Sequence, residues 1–145
     1  FYDKIGLIVP QLVFYNIDTA TLLGASGWNS PELTKMTGKY MREGYFVDGF
    51  FPESKRPEVV KFVREYKNTF GEDPTLLTAQ AYDAAKMFLK TIHSGAKNRL
   101  QVKKGLLKIR SFQGVSGETT ILPTGEAEKK LFTMKIIKKK VVEAN

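Results

Sequence analysis

Cysteine is absent from the 145 residues, which excludes disulfides and thiolate metal sites and is compatible with either redox compartment. Histidine occurs once, as His93 at an expected helix end, and tryptophan once, as Trp28. Clustered His, Cys or carboxylates, which a metal site needs, are not visible, and Glu72-Asp73 reads as a turn before Pro74. No stretch approaches the roughly 18 uninterrupted apolar residues of a membrane span. The opening Phe1-Tyr2-Asp3 has neither an initiator Met nor the form of a signal peptide, and reads as the middle of something longer.

Catalytic patterns are equally scarce. Gly24-Ala25-Ser26-Gly27 and Gly114-Val115-Ser116-Gly117 each carry a serine followed at once by glycine, so neither has the spacing of a nucleophile elbow. Both lack the lysine of a phosphate-binding loop. The expectation is a protein that is not an enzyme, with no catalytic residue, no metal and no cofactor.

What is present is ordinary globular material, 42% hydrophobic and 26% charged, enough for a core. The net charge of +8 is unevenly placed: residues 1–96 hold 11 basic and 11 acidic side chains, residues 97–145 hold 12 and 4. Lys138-Lys139-Lys140 falls where a turn belongs, without the interleaved aromatic residues that stack on bases, so no nucleic-acid partner is expected and the charge reads as a solvated surface.

Periodicity assigns the elements. Asp3 to Asn16 has apolar residues at 5, 8, 9, 12 and 13 on one helical face, with Asp3 as N-cap and a kink or break at Pro10. A strand at 20–24, a helix from Pro31 to about Thr37 stopped by Gly38, and a strand from Gly44 to Phe50 follow. A helix from Pro57 carries Val59, Phe62, Val63, Tyr66 and Phe70 as a stripe until Gly71. From Leu76 to His93, Leu77, Ala81, Ala84, Ala85, Phe88, Leu89 and Ile92 share a broad face. Asn98 to Ile109 is a weaker basic helix with Leu100, Val102, Leu106 and Ile109 inward. Beyond Phe112 the texture is β: Glu118–Leu122, a turn at Pro123-Thr124-Gly125, Lys129–Ile137 with alternate residues buried, and Val141-Val142. The order suggests an α/β open sheet flanked by helices.

The most informative stretch is Leu22-Leu23-Gly24-Ala25-Ser26-Gly27-Trp28-Asn29-Ser30-Pro31-Glu32-Leu33. It reads as a strand ending in a small-residue turn that passes directly into a helix capped by Ser30, with Pro31 at the first helical position and Glu32 favoured by the dipole. In open α/β sheets ligands sit outside the carboxyl ends of strands, at such junctions. Together with Tyr82-Asp83-Ala84 and Phe112-Gln113-Gly114-Val115-Ser116-Gly117, in that order, the stretch resembles the branched-chain amino-acid (Leu/Ile/Val-binding) type of periplasmic solute-binding protein, with the type I fold. All 145 residues are covered, matching about the last two-fifths of a typical member.

The resemblance implies two lobes joined by crossing strands, closing like a hinged trap on a small molecule such as an amino acid or related polar solute, which is then delivered to an ABC transporter permease. It implies an extracytoplasmic, periplasmic location. Residues 1–53 would be part of the second lobe, 54–111 part of the first, and 112–145 a crossover and C-terminal β hairpin, so the fragment holds parts of both lobes. Phe50, Phe51 and Pro52, and Phe112, Gln113 and Gly114, would be hinge points. Phe1, Tyr2, Ser26 and Trp28 would face ligand. In amino-acid binders of the family an acid stands at the place of Ser26; a hydroxyl cannot neutralise a buried ammonium, so a ligand without one, or no ligand, is favoured. The helices at 57–70 and 76–94 need a sheet that this chain barely supplies, so a dimer or association with the missing N-terminal half is expected. The alternative is the same fold as a non-transport interaction or regulatory domain, resembling penicillin-binding-protein activators of the cell envelope.

Overall fold

The structure, a computed structural model, describes residues 2–38, 40–137 and 140–144. The expectations for Phe1 and for the tip at Lys138-Lys139 fall outside these residues. The chain divides into two compact units, residues 1–48 with 132–145 and residues 49–131. The passages between units thus lie at 48/49 and 131/132, whereas the family resemblance implies boundaries at 53/54 and 111/112.

In the first unit, helix α1 (Tyr2–Phe14) runs unbroken through Pro10, where a kink or two pieces were expected, and Asp3 lies in its first turn rather than capping it. Its end is closed by Asn16 at φ 61°, a conformation an Asn side chain tolerates, with the Ile17 amide donating to the Leu12 carbonyl at 2.8 Å. Strand β1 (Leu22–Gly24) pairs parallel with β2 (Glu43–Asp48), and α2 (Pro31–Thr37) lies between them in sequence. Strand β6 (Phe132–Ile137) pairs antiparallel with β2, and β7 (Lys140–Glu143) with β6, giving the order β1-β2-β6-β7. Phe46, Phe132, Met134 and Ile136 occupy one face and are buried with Val9 of α1 and Leu33 of α2. On the other face, register aligns Leu23, Tyr45, Lys135 and Val142 in one row across the sheet. Leu23, Val47 and Val142 are exposed there, Leu23 at 78%. A parallel pair ordinarily carries cover on both faces.

The second unit begins at Gly49, followed by Phe50 and Phe51, both buried. Helix α3 (Pro57–Phe70) starts on a proline and stops at Gly71, whose φ of 73° is open to glycine. Helix α4 (Leu76–His93) starts on a reciprocal capping box between Thr75 and Thr78. Phe62 of α3 joins the two helices, its ring 4.6 Å from Tyr82 and 6.0 Å from Phe50. Helix α5 (Arg99–Leu106) is capped by Asn98, whose Oδ1 accepts from the Gln101 amide at 3.0 Å. Strands β3 (Phe112–Gly114), β4 (Gly117–Ile121) and β5 (Ala127–Lys130) form an antiparallel sheet in that order.

Further details differ from the periodicity argument. The expected strand 129–137 is divided at Leu131, its first part closing the three-stranded sheet and its second entering the four-stranded one. Leu100, expected inward, is 60% exposed, while Val102 and Leu106 are half-buried and Ile109 buried. On α4 the buried residues are Ala79, Asp83 and Thr91, whereas the broad apolar face of Leu77, Ala81, Ala84, Ala85, Phe88, Leu89 and Ile92 is exposed, Leu77 at 75%. Phe70, the last member of the α3 stripe, is exposed as well.

Candidate functional site

Because β1 and β2 are parallel, Gly24 and Asp48 end at the same edge of their sheet, the carboxyl edge at which α/β proteins hold ligands. From Gly24 the chain makes a short 3-10 turn over Ser26–Trp28, closed by the Trp28 amide on the Ala25 carbonyl at 2.9 Å and the Asn29 amide on the Ser26 carbonyl at 3.0 Å. Helix α2 begins two residues later. Ser30 caps it by accepting from the Glu32 amide at 3.2 Å, and the Ser30 hydroxyl donates to the Glu32 carboxylate at 2.6 Å. That hydroxyl holds the Glu32 carboxyl below its usual pKa.

Trp28 is 7% exposed and lies over glycine. A Cβ on Gly24 would overlap its indole, and one on Gly44 would come within 3.2 Å of Trp28 Cζ3. Its ring centroid is 6.4 Å from that of Phe46. The two glycines therefore leave the space that the single tryptophan fills, and the ring braces the turn against β2. Ser26 is exposed at the outer side of the turn. Tyr2 is the first residue of α1; Gly6, one turn on, is packed against Met36 of α2 so closely that a Cβ would overlap the Met36 side chain.

One pair at this edge was missed by sequence reasoning. Asn29 Nδ2 donates to Asp48 Oδ2 at 2.8 Å, tying the turn after β1 to the end of β2. Asp48 is buried. The available signal was an acid directly after the apolar run Tyr45-Phe46-Val47 and immediately before Gly49, the residue at which the chain passes into the second unit.

The other two motifs meet each other. Asp83 of α4, 1% exposed, accepts from the amides of Val115 and Ser116, both at 2.8 Å, and from the Ser116 hydroxyl at 2.6 Å. Lys129 Nζ donates to Ser116 Oγ at 2.5 Å. Burial holds the Lys129 ammonium below its ordinary pKa, with the Asp83 charge acting against that shift. Gly114 sits directly on the Asp83 carboxylate, and Gly117 turns at φ 98°. The assembly fixes the β3–β4 turn, and Ser116 is fully buried within it. Phe112, Gln113 and Gly114 form β3 inside the second unit, which the chain leaves after Leu131. Phe50 and Phe51 are packed in the same unit, just beyond the passage at Asp48–Gly49. Among the described residues no group of three or more His, Cys, Asp or Glu could hold a metal ion.

Residues 7–140 match the family described as periplasmic binding protein. The chain belongs to the periplasmic binding protein family. No curated protein matches it in sequence. Solved binding proteins show the same type I fold. A protein from Rhodospirillum rubrum, described as a branched-chain amino acid ABC transporter, superimposes with a TM-score of 0.91 at 23% identity, over 99% of this chain and 42% of its own. The leucine binding protein LivK of Thermotoga maritima gives 0.67 at 28% identity, over 100% and 42%. The substrate binding protein LivJ of Streptococcus pneumoniae, solved with isoleucine, gives 0.63 at 28%, over 97% and 40%. This binding-protein chain thus spans about two-fifths of the length of each.

Proposed function

We propose that the chain is part of an extracytoplasmic solute-binding protein of an ABC transporter, which takes a small polar solute by hinged closure of two lobes and hands it to the transporter's permease. The reading is supported above all by the junction at the carboxyl edge of the β1–β2 pair, where Ser26 is exposed on a turn braced by Trp28 and tied to Asp48 through Asn29. Such a junction can present a hydroxyl and backbone amides to a ligand without moving the scaffold behind them. Similar proteins bind leucine or isoleucine by their names and contents. Here the pocket is assigned to Ser26 with Phe1 and Tyr2, and Trp28 acts from behind the turn. Hinge action is assigned to the segment around Phe50, Phe51 and Pro52, next to the first passage between units. The sheet face on which Leu23, Val47 and Val142 are exposed and the exposed face of α4 are the surfaces that the rest of a full-length protein would cover.

The turn offers a hydroxyl where an amino-acid receptor needs a carboxylate. The solute is therefore a polar molecule without an ammonium group, since an unpaired buried charge costs several kcal/mol. Calorimetric titration of the full-length protein tests this with Ser26→Asp. The substitution should weaken the native solute and strengthen a neutral amino acid by roughly 1.5–3 kcal/mol, the worth of a charge-assisted hydrogen bond. Unchanged affinities for both would remove Ser26 from the pocket.

A further inference from the structure

Within the second unit, a concavity of about 590 Å3 lies between the end of α4 and α5. Lys90, Ser94, Gln101, Lys104, Lys108 and Arg110 line it, and no Asp or Glu among the described residues does. The single sign of charge extends beyond the lining: residues 84–117 hold eight Lys or Arg and no acid. Lys90, Lys104 and Lys108 are exposed and, among the described residues, pair with no carboxylate.

The backbone that carries these cations is fixed. Gly105 of α5 meets Thr91 of α4 so closely that a Cβ would overlap the threonine side chain. Thr91 is buried, and its hydroxyl donates to the Met87 carbonyl at 3.0 Å. The two helices are thus in contact at Thr91 and Gly105, both of which line the concavity, and Lys90 and Lys104 are the chain neighbours of these two residues. Arg110 is anchored through Nη1, which donates to the carbonyls of Leu107, Ile109 and Ile121 at 2.9, 2.8 and 2.6 Å. Carbonyls at the end of α4 already have backbone donors: Ser94 N–H on Lys90 and Gly95 N–H on Ile92, at 3.0 and 2.9 Å. The lysine ammoniums are therefore not needed to satisfy that helix end.

Four cationic residues lining one recess without a carboxylate among the lining raise its positive potential, and an anion seated there relieves that while taking charge-assisted hydrogen bonds. We propose that this concavity binds a phosphate-bearing anion. Its volume is that of a small-molecule site rather than of a single oxyanion, so the ligand is a phosphorylated molecule or the headgroup of an anionic phospholipid, with the phosphate among Lys90, Lys104 and Lys108. At about 100° per residue, Lys90 points away from the α4 face of Leu77, Ala81, Phe88 and Ile92. A chain segment covering that face need not cross the recess. The inference is independent of the solute-binding reading, because every residue it uses belongs to 49–131 and none lies at the β1–α2 junction.

The test uses the full-length protein with two probes, inorganic pyrophosphate in calorimetry and vesicles of phosphatidylcholine with or without phosphatidylglycerol in flotation. Binding to at least one probe is expected, weakening as salt is raised. The double variant Lys104→Glu, Lys108→Glu should lower it by about tenfold or more, and Lys104→Arg, Lys108→Arg should retain it. As a control for net charge, Lys4→Glu, Lys55→Glu makes the same change outside the recess and should leave binding within about twofold. Pyrophosphate binding identifies a free phosphorylated ligand; binding only to vesicles with phosphatidylglycerol identifies a headgroup. Binding to neither probe, or equal losses in the two glutamate variants, overturns the site.

Discussion

Asp83 and Ser116, thirty-three positions apart, are joined by two hydrogen bonds, the backbone amide at 2.8 Å and the hydroxyl at 2.6 Å both donating to the same carboxylate oxygen. Removing the carboxylate strands the Val115 and Ser116 amides in a buried site. Asp83→Ala should therefore destabilise the protein by about 3–5 kcal/mol, the cost of breaking a buried, hydrogen-bonded charge. Ser116→Ala, which leaves both amides bonded, should cost about 1 kcal/mol. Urea unfolding of the two variants checks the ratio, and equal losses would contradict the assigned roles.

Gly24 and Trp28 make a second testable pair. A methyl group on Gly24 must displace the indole, so Gly24→Ala should cost about 1–3 kcal/mol as overpacking, and Trp28→Ala about 3–5 kcal/mol as a cavity. Because both act through one contact, the double variant should lose less than the sum. Additive losses in denaturant titration would show that the ring does not depend on that glycine.

The pH dependence of stability should carry a trace of Lys129. Its pKa in the folded protein lies below the ordinary 10.5, so between the lowered value and 10.5 the unfolded chain binds more protons than the folded one. Stability therefore rises with pH through that window, and below it the half-buried ammonium is a standing cost. Lys129→Met should flatten the slope there, measured by denaturant midpoints across alkaline pH; an unchanged slope would assign it to other groups.

The 145-residue chain expressed alone should associate. The α4 face from Leu77 to Ile92, and the sheet face on which Leu23, Val47 and Val142 are exposed, leave apolar side chains uncovered, and surfaces of that kind drive assembly. Sedimentation equilibrium should show a dimer or larger species, and a monodisperse monomer would count against the need for further cover.

What could be read from the sequence was local. The bounds of α2 and α4 are those expected, because Ser30-Pro31-Glu32 and the Thr75 cap act within one turn of the residues they cap. The alternation of Phe132, Met134 and Ile136 located the buried face of β6 for the same reason. Long-range choices were not visible. Lys129 to Ile137 has uniform strand propensity, and only the competition of two sheets divides it at Leu131. Leu100 fits a helical period but lies outside what α4 can cover. At the candidate site the turn and its Ser30 cap were legible, whereas Asn29 meeting Asp48 depends on the register of β1 with β2. Likewise, Tyr82-Asp83-Ala84 and the glycine-rich turn at 114–117 stood out as separate motifs, and only the packing of α4 makes them one device.

The first unit is built from the two ends of the chain, with β2 waiting for β6 across the whole of residues 49–131. On a ribosome, residues 49–131 are therefore finished before the four-stranded sheet has its third strand. Closing that long loop is entropically costly unless the intervening segment has already contracted. Chain order thus places the synthesis of the whole inserted unit between β2 and the strand it pairs with, so the sheet behind Ser26 is completed only after residues 49–131 have been made.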